Sequence, residues 1–237
     1  MSQIFEKKLN ELNIELTDKQ KEKFNRFYEL LVEWNKVMNL TGITEYEEVN
    51  EKHFVDSLSL VKAIDVNKVK TVIDIGTGAG FPGIPLKIAF PHLNIVLLDS
   101  LNKRINFLNT VIYELDLKDI KTIHGRAEDF AKQEEYREKF DLCVSRAVAN
   151  LSTLSEYCLP YVKTGGMFIP YKSGDIDDEV KEANKAISIL GGKLKKVIKF
   201  QLPNTEINRS FVNIYKERNT HKKYPRKAGL PTKEPLK

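Results

Sequence analysis

Cysteine and tryptophan are scarce. Only Cys143, Cys158 and a single tryptophan occur in 237 residues. Two thiols are too few for a disulfide framework or a cysteine-rich metal site, which fits a reducing compartment. Both read as small core residues, one within a β-rich run and the other on an apolar helix face. No H-E-x-x-H and no G-x-x-x-x-G-K-[ST] occurs, so zinc-hydrolase and phosphate-loop ATPase chemistry have no support, and no resident metal is expected. No apolar run approaches the roughly 18 residues of a membrane span. The N-terminus Met1-Ser2-Gln3-Ile4-Phe5-Glu6-Lys7-Lys8 meets charge too early for a signal peptide. A soluble, cytoplasmic protein without membrane contact is therefore expected. With 41% hydrophobic and 30% charged residues, the chain falls in the ordinary globular range, outside disordered, collagen-like and coiled-coil compositions. Its length allows one large domain or one domain with an appendage.

The net charge of +5 is unevenly spread. From Arg218 onward stand Arg218, Lys222, Lys223, Arg226, Lys227, Lys233 and Lys237 against Glu234, so the tail is strongly basic and the remainder slightly acidic. Pro225, Pro231 and Pro235 stop this tail from continuing a helix or a central strand. It reads either as an extended arm on phosphates or as a merely solvated terminus.

Two kinds of patterning divide the chain. Thr17-Asp18-Lys19-Gln20 has the form of a capping box. Phe24, Phe27, Leu31, Trp34 and Met38 then recur at three- and four-residue steps, which predicts a helix with one apolar stripe. A second helix start is read at Thr44-Glu45-Tyr46-Glu47. From residue 71 short β-rich runs alternate with helix-length segments: 71–75, 95–99, 122–124, 141–145 and 167–171. That alternation predicts a parallel, doubly wound sheet. Runs at 194–202 and 211–216 follow with only Pro203-Asn204 as a turn signal between them, which predicts a closing antiparallel pair. Five parallel strands plus such a pair is the α/β arrangement of a class I S-adenosylmethionine-dependent methyltransferase, a Rossmann-like seven-stranded sheet. The expected organisation is a helical cap over 1–66, the sheet domain over 67–217 and the basic tail over 218–237, all within one compact unit.

The strongest local motif is Asp74-Ile75-Gly76-Thr77-Gly78-Ala79-Gly80-Phe81-Pro82-Gly83 at the end of the first strand. Glycines there let the backbone turn sharply and approach a ligand at the carboxyl edge of the sheet. A dinucleotide fingerprint requires a third glycine where Phe81 stands, which counts against a dehydrogenase. Asp99 ends the second strand and could accept both hydroxyls of a ribose, or open the following helix together with Ser100. Glu128, in Gly125-Arg126-Ala127-Glu128, could accept from an exocyclic amine or serve as a first-turn helix acid. Arg146, past the fourth strand, would face a ligand carboxylate or an RNA phosphate, or bridge to Asp74 or Glu128. His53 is either a satisfied structural histidine or part of the rim, with Asp56 one turn away. Where amine methyltransferases commonly carry Asn or Asp before Pro-Pro-aromatic, this chain has Ser145-Arg146-Ala147, and no cysteine nucleophile suited to pyrimidine carbon is present.

Together these residues resemble the bacterial small-subunit ribosomal RNA methyltransferase G family, also called the glucose-inhibited division protein B family. The resemblance runs through Glu33-Trp34-Asn35-Lys36, Asn39-Leu40-Thr41, His53 with Asp56-Ser57-Leu58, the loop from Asp74 to Pro85, Asp99 to Arg104, Arg126-Ala127-Glu128, Ser145-Arg146-Ala147 and Tyr224-Pro225-Arg226-Lys227. It implies transfer of the methyl of S-adenosyl-L-methionine to N7 of one guanine in a decoding-region loop of 16S rRNA, and a link to streptomycin susceptibility. It also implies cofactor contacts at Gly76, Phe81, Ala127, Glu128 and Arg146, with Gly78, Gly80 and Asp99 completing the pocket. No catalytic acid, base or nucleophile is expected. The partner would be 16S rRNA or the small ribosomal subunit, met by a monomer. RNA-binding candidates are Lys103, Arg104, Lys172, Arg209, Lys222, Lys223, Arg226 and Lys227. If the tail is an RNA arm, its removal weakens RNA binding and spares the cofactor. Methylation of a protein or small molecule, or a non-catalytic assembly role, are the competing readings.

Overall fold

The computed structural model describes residues 2–146 and 148–236. Ala147 of the Ser145-Arg146-Ala147 motif lies outside the described residues. Seven strands form one sheet: β1 (Thr71–Ile75), β2 (Asn94–Asp99), β3 (Ile120–His124), β4 (Phe140–Arg146), β5 (Val162–Ser173), β6 (Gly192–Gln201) and β7 (Asn208–Lys216). Their order is β3-β2-β1-β4-β5-β7-β6. The first five run parallel, whereas β7 pairs antiparallel with both β5 and β6. This is the class I methyltransferase sheet, with its closing antiparallel pair where the sequence placed it.

Helices α1 (Gln3–Glu11), α2 (Asp18–Met38), α3 (Tyr46–Val49) and α4 (Asp56–Leu58) precede the sheet. The others are α5 (Gly83–Ala89), α6 (Asn102–Glu114), α7 (Ala127–Phe130), α8 (Leu151–Cys158), α9 (Asp177–Ile189) and α10 (Leu230–Lys233). Central strands are apolar on both faces because both are covered. Val72, Ile95, Leu97, Leu142 and Val144 point into a core shared with the N-terminal helices. Ile73, Ile75, Val96, Leu98 and Cys143 point into a second core shared with α8 and α9. At the edge, β6 carries Lys193, Lys195, Lys196 and Lys199, a charge pattern that discourages further strand addition.

The N-terminal helices are one wall of the first core. Thr17 caps α2 through a complete capping box with Gln20. The helix α1, which the sequence reading left out, is capped by Ser2 and buries Phe5 and Leu9. Phe24, Phe27 and Phe54 are fully buried, with Phe24 and Phe27 lying 5.0 and 5.5 Å from Phe54 between ring centroids. The second expected helix begins at Tyr46 rather than Thr44, and no side chain caps it. It then widens into a π-turn over Asn50–Val55 before α4, an irregularity that frees backbone groups beside functional sites.

The C-terminal tail corrects the expected extended arm. At the end of β7 the buried Lys216 amine donates to Leu159 O, and the chain then turns back to pack on α8. Arg226 forms a bidentate pair with Glu156, Nε–Oε1 2.9 Å and Nη2–Oε2 2.7 Å, and Glu156 is fully buried. A buried carboxylate requires such a partner, so Arg226 is a structural residue and not a free RNA contact. Lys222, Lys223 and Lys227 remain exposed.

Because the N-terminal helices and the sheet share one core, they are expected to unfold together. In urea, Trp34 fluorescence, which reports α2, and far-UV circular dichroism should give the same midpoint. Phe54→Ala should lower both midpoints together, corresponding to a loss of about 3–5 kcal/mol in unfolding free energy. Separate midpoints would show that the helices melt independently.

Candidate functional site

Strand order reverses between β1 and β4, where an open α/β sheet leaves a crevice at its carboxyl edge. The glycine-rich turn occupies that edge. Gly76 and Thr77 donate their amides to Leu98 O at 2.8 and 3.1 Å, which joins the turn to β2. Asp74 holds it from beneath: its Oδ2 accepts from Thr77 Oγ at 2.7 Å and from the Gly83 amide at 2.9 Å. Complete burial pushes Asp74 up to about 7 despite these bonds, and its Oδ1 has no partner among the described residues. Glycine is required at Gly76, where φ is +68° and a Cβ would stand 2.6 Å from Val148 Cγ2.

On one side of this turn is a cleft of about 420 Å³, bounded by Gly76, Leu98, Ala127, Glu128, Val148 and Gly229 among others. Its size suits a nucleoside-sized ligand. Asp99 stands behind it and is 2% exposed. Its Oδ2 accepts from the Gly78 amide at 2.9 Å and from Arg104 Nη1 at 3.2 Å, and its Oδ1 from the Leu101 amide at 2.9 Å. Asp99 thus fixes the turn into α6 through the Leu101 amide, but the N-cap position of α6 is Leu101 and no side chain caps it. A carboxylate offers about four acceptor positions, so one remains for a hydroxyl. Glu128, in the first turn of α7, accepts on Oε1 from the Gly229 amide at 3.0 Å. Its Oε2 has no partner among the described residues. A mixed wall of Leu98, Ala127 and Val148 with Ser100, Arg126, Tyr157 and Thr232, one lining carboxylate in Glu128 and Asp99 behind it, fits the base and ribose of S-adenosylmethionine.

On the other side is a pocket of about 480 Å³ with a cationic lining. Asp56 is its centre: Oδ2 accepts from Arg146 Nη1 at 2.9 Å and Oδ1 from Arg209 Nε at 2.8 Å. Arg146 also donates to Lys52 O at 3.2 Å, a carbonyl within the π-turn. Lys172 donates to Glu179 at 2.7 Å and to Ala149 O at 2.9 Å. Among the described residues, Arg146, Lys172 and Arg209 thus pair with two carboxylates, Asp56 and Glu179. The Phe81 ring lies under this set, 4.5 Å from the His53 ring and 5.0 Å from the Arg146 guanidinium. Burial, reinforced by the Arg146 charge, pulls His53 down to about 3, so it is neutral at physiological pH. Its Nε2 lies 2.9 Å from Thr41 Oγ.

The structure thus divides the expected cofactor set. Gly76, Ala127 and Glu128 line the nucleoside-sized cleft. Asp99 and Gly78 bond to each other behind it. Gly80 faces Ile84 and Leu108. The Arg146 guanidinium lines the cationic pocket, with the buried Phe81 ring beneath it, and Arg146 pairs with Asp56 rather than with Asp74 or Glu128. Among the RNA candidates, Lys172 and Arg209 line that pocket. Arg104 is committed to Asp99, and Lys103 is exposed, with its amine 3.3 Å from Met38 O. Sequence reasoning noted Asp56 only as a neighbour of His53 and missed Gly229 and Thr232 as cleft walls. Neither has a local signal, since each acts across a long sequence separation.

Asp74 makes a pH prediction. Its folded value, about 7, lies above the ordinary aspartate value of 3.8, so the folded carboxyl holds a proton that the unfolded chain has released. Its stabilising contribution is present below about pH 4 and is lost as pH rises through 7. His53, held neutral, acts in the opposite direction below its ordinary 6.5. Asp74→Asn should therefore lose less stability than the parent between pH 4 and 7, by on the order of 1–4 kcal/mol, in urea melts across that range. Parallel profiles would show that Asp74 stays ionised.

The family model for rRNA small subunit methyltransferase G matches residues 20–208. A ribosomal RNA small subunit methyltransferase G of Lachnoclostridium phytofermentans is 57% identical over 228 residues, covering 96% of this chain and 94% of that protein. Its counterpart in Clostridium botulinum strain Loch Maree is 50% identical over 234 residues, covering 99% and 98%. Among solved structures, the YcgJ protein of Bacillus subtilis superposes with a TM-score of 0.54 at 12% identity, over 70% of this chain and 100% of that one. M. jannaschii TYW2 in complex with AdoMet gives a TM-score of 0.51 at 13% identity, over 63% and 70%. The structural likenesses speak to the fold alone. On the family model and the sequence relatives, the chain belongs to the rRNA small subunit methyltransferase G family.

Proposed function

We propose that the protein methylates N7 of a guanine in a decoding-region loop of 16S rRNA, holding S-adenosyl-L-methionine in the nucleoside-sized cleft and the RNA in the adjoining cationic pocket. The observation that carries this reading is the adjacency of the two sites on either side of the β1 and β4 ends. S-adenosyl-L-methionine supplies an electrophilic methyl on its sulfonium when bound.

The chain's own residues bind and orient. Glu128 and Asp99 offer acceptors for a base amine and a ribose hydroxyl. Gly76 lets the backbone stand close to the ligand. Arg146, Lys172 and Arg209 offer charge-assisted hydrogen bonds to RNA phosphates. Guanine N7 carries a free lone pair, so displacement at the methyl needs no general base. His53, neutral and bonded on both ring nitrogens, is not called on for one. Rate then comes from holding donor and acceptor in line and from excluding water. In this reading the protein acts as a monomer in the cytoplasm, and among the described residues no helix is long and apolar enough to cross a membrane.

The test supplies methyl-labelled S-adenosyl-L-methionine with undermethylated small subunits, naked 16S rRNA and bulk cell protein in parallel. Label recovered as 7-methylguanosine from one 16S loop is expected. Label in protein, or in another nucleoside, would overturn the assignment. Arg209→Ala leaves Asp56 paired with Arg146, so it should weaken RNA binding and reduce its salt slope by about 1, with S-adenosylhomocysteine affinity unchanged in a calorimeter. An unchanged salt slope would remove Arg209 from the RNA site.

A further inference from the structure

The C-terminal tail ends at the cofactor cleft. Gly229 and Thr232 are part of its wall, and the Gly229 amide donates to Glu128 Oε1 at 3.0 Å. One oxygen of the expected adenine-binding carboxylate is thus already occupied by the tail, which leaves Oε2 for a ligand N–H. The segment is fastened along its length. Arg137 donates to Thr220 O and Tyr224 O at 2.7 and 2.9 Å. Arg226 holds the buried Glu156 through its side chain and, at 2.7 Å, through its own amide. Thr153 Oγ donates to Pro231 O at 3.0 Å, and Tyr157 OH lies 2.7 Å from Thr232 Oγ. A terminus that served only solubility would have no reason to bury a carboxylate against its arginine or to direct an amide at Glu128. Gly229 itself has φ +83°, a backbone conformation that favours glycine.

We propose that residues 224–232 are a strap that completes the adenosine end of the cofactor site, with the Gly229 amide as the group that positions Glu128. The strap rests on the reading of the cleft as the cofactor site. It also reverses the expectation that removing the tail spares cofactor binding. A ligand that contacts a docked strap stabilises the docking, and by linkage an undocked strap weakens the ligand by the same factor.

The experiment uses S-adenosylhomocysteine as probe and the full-length chain. Gly229→Pro removes the amide hydrogen and cannot adopt a positive φ. It should weaken S-adenosylhomocysteine at least tenfold by calorimetry while leaving the salt slope of RNA binding unchanged. In the unmodified chain, S-adenosylhomocysteine should slow amide exchange across 229–233. If Gly229→Pro fails to fold, the exchange measurement decides alone. Affinity within twofold of the parent, or exchange unaffected by ligand, would overturn the strap. Asp99→Asn separates the two claims: if it weakens the ligand and Gly229→Pro does not, only the strap fails. If neither does, the cleft reading fails with it.

Discussion

The buried carboxylate of Asp74 is the constraint on which the site depends. It stands at the end of β1, where the strand order turns, and its Oδ2 ties Thr77 at the start of the glycine-rich turn to Gly83 at the start of α5. A charge in that position is costly because it is removed from water, and its raised proton affinity expresses the cost. In return the turn has one path over the sheet edge. That path puts Gly76 against Val148 on the cleft side and sends the Phe81 ring toward the N-terminal helices. Two sites with different chemistry then form from one ten-residue motif.

Charge is divided between those sites in a way that suits their proposed ligands. Glu128 in the cleft wall beside Arg126, with Asp99 behind it, offers acceptors that fit a nucleoside with amine and hydroxyl donors. Arg146, Lys172 and Arg209 make the neighbouring pocket donor-rich, fitting phosphates. Asp56 holds two of these cations in fixed places and neutralises only part of their charge. Neutral His53 stacks on Phe81, and the Arg146 guanidinium lies over the same ring, so the pocket is seated directly on the aromatic core of the N-terminal helices. Removing one cation need not disturb the cleft, since Asp56 keeps its other partner.

The sheet was legible because its central strands are short apolar runs bounded by glycine and polar residues, and the closing pair because two alternating runs meet with no helix-length spacer. The placement of the glycine-rich turn, Asp99 and Glu128 along the carboxyl edge of the sheet was legible from their position after successive strands. The tail was misread because its charge was counted without its partner. Glu156 sits in Leu151–Cys158, a segment apolar enough to read simply as core, and nothing near Arg226 in sequence announces the pairing. The resemblance implies cofactor contacts at Phe81 and Arg146; in the structure Arg146 lines a pocket built on Asp56, which no local pattern connects to β4 or β7, and the Phe81 ring packs against Phe27 and His53. The π-turn over Asn50–Val55 was equally silent, because its pattern of apolar residues is close to that of an ordinary helix.

The central claim is that one ligand-sized cleft at the β1 edge takes the nucleoside and the adjacent cationic pocket does not. A crystal structure of the protein with S-adenosylhomocysteine tests this most directly. The account predicts the adenine edge within hydrogen-bonding distance of Glu128 Oε2 and one ribose hydroxyl at Asp99, with the pocket of Arg146 and Arg209 free of nucleoside. Adenosine bound among Arg146, Lys172 and Arg209 would contradict it.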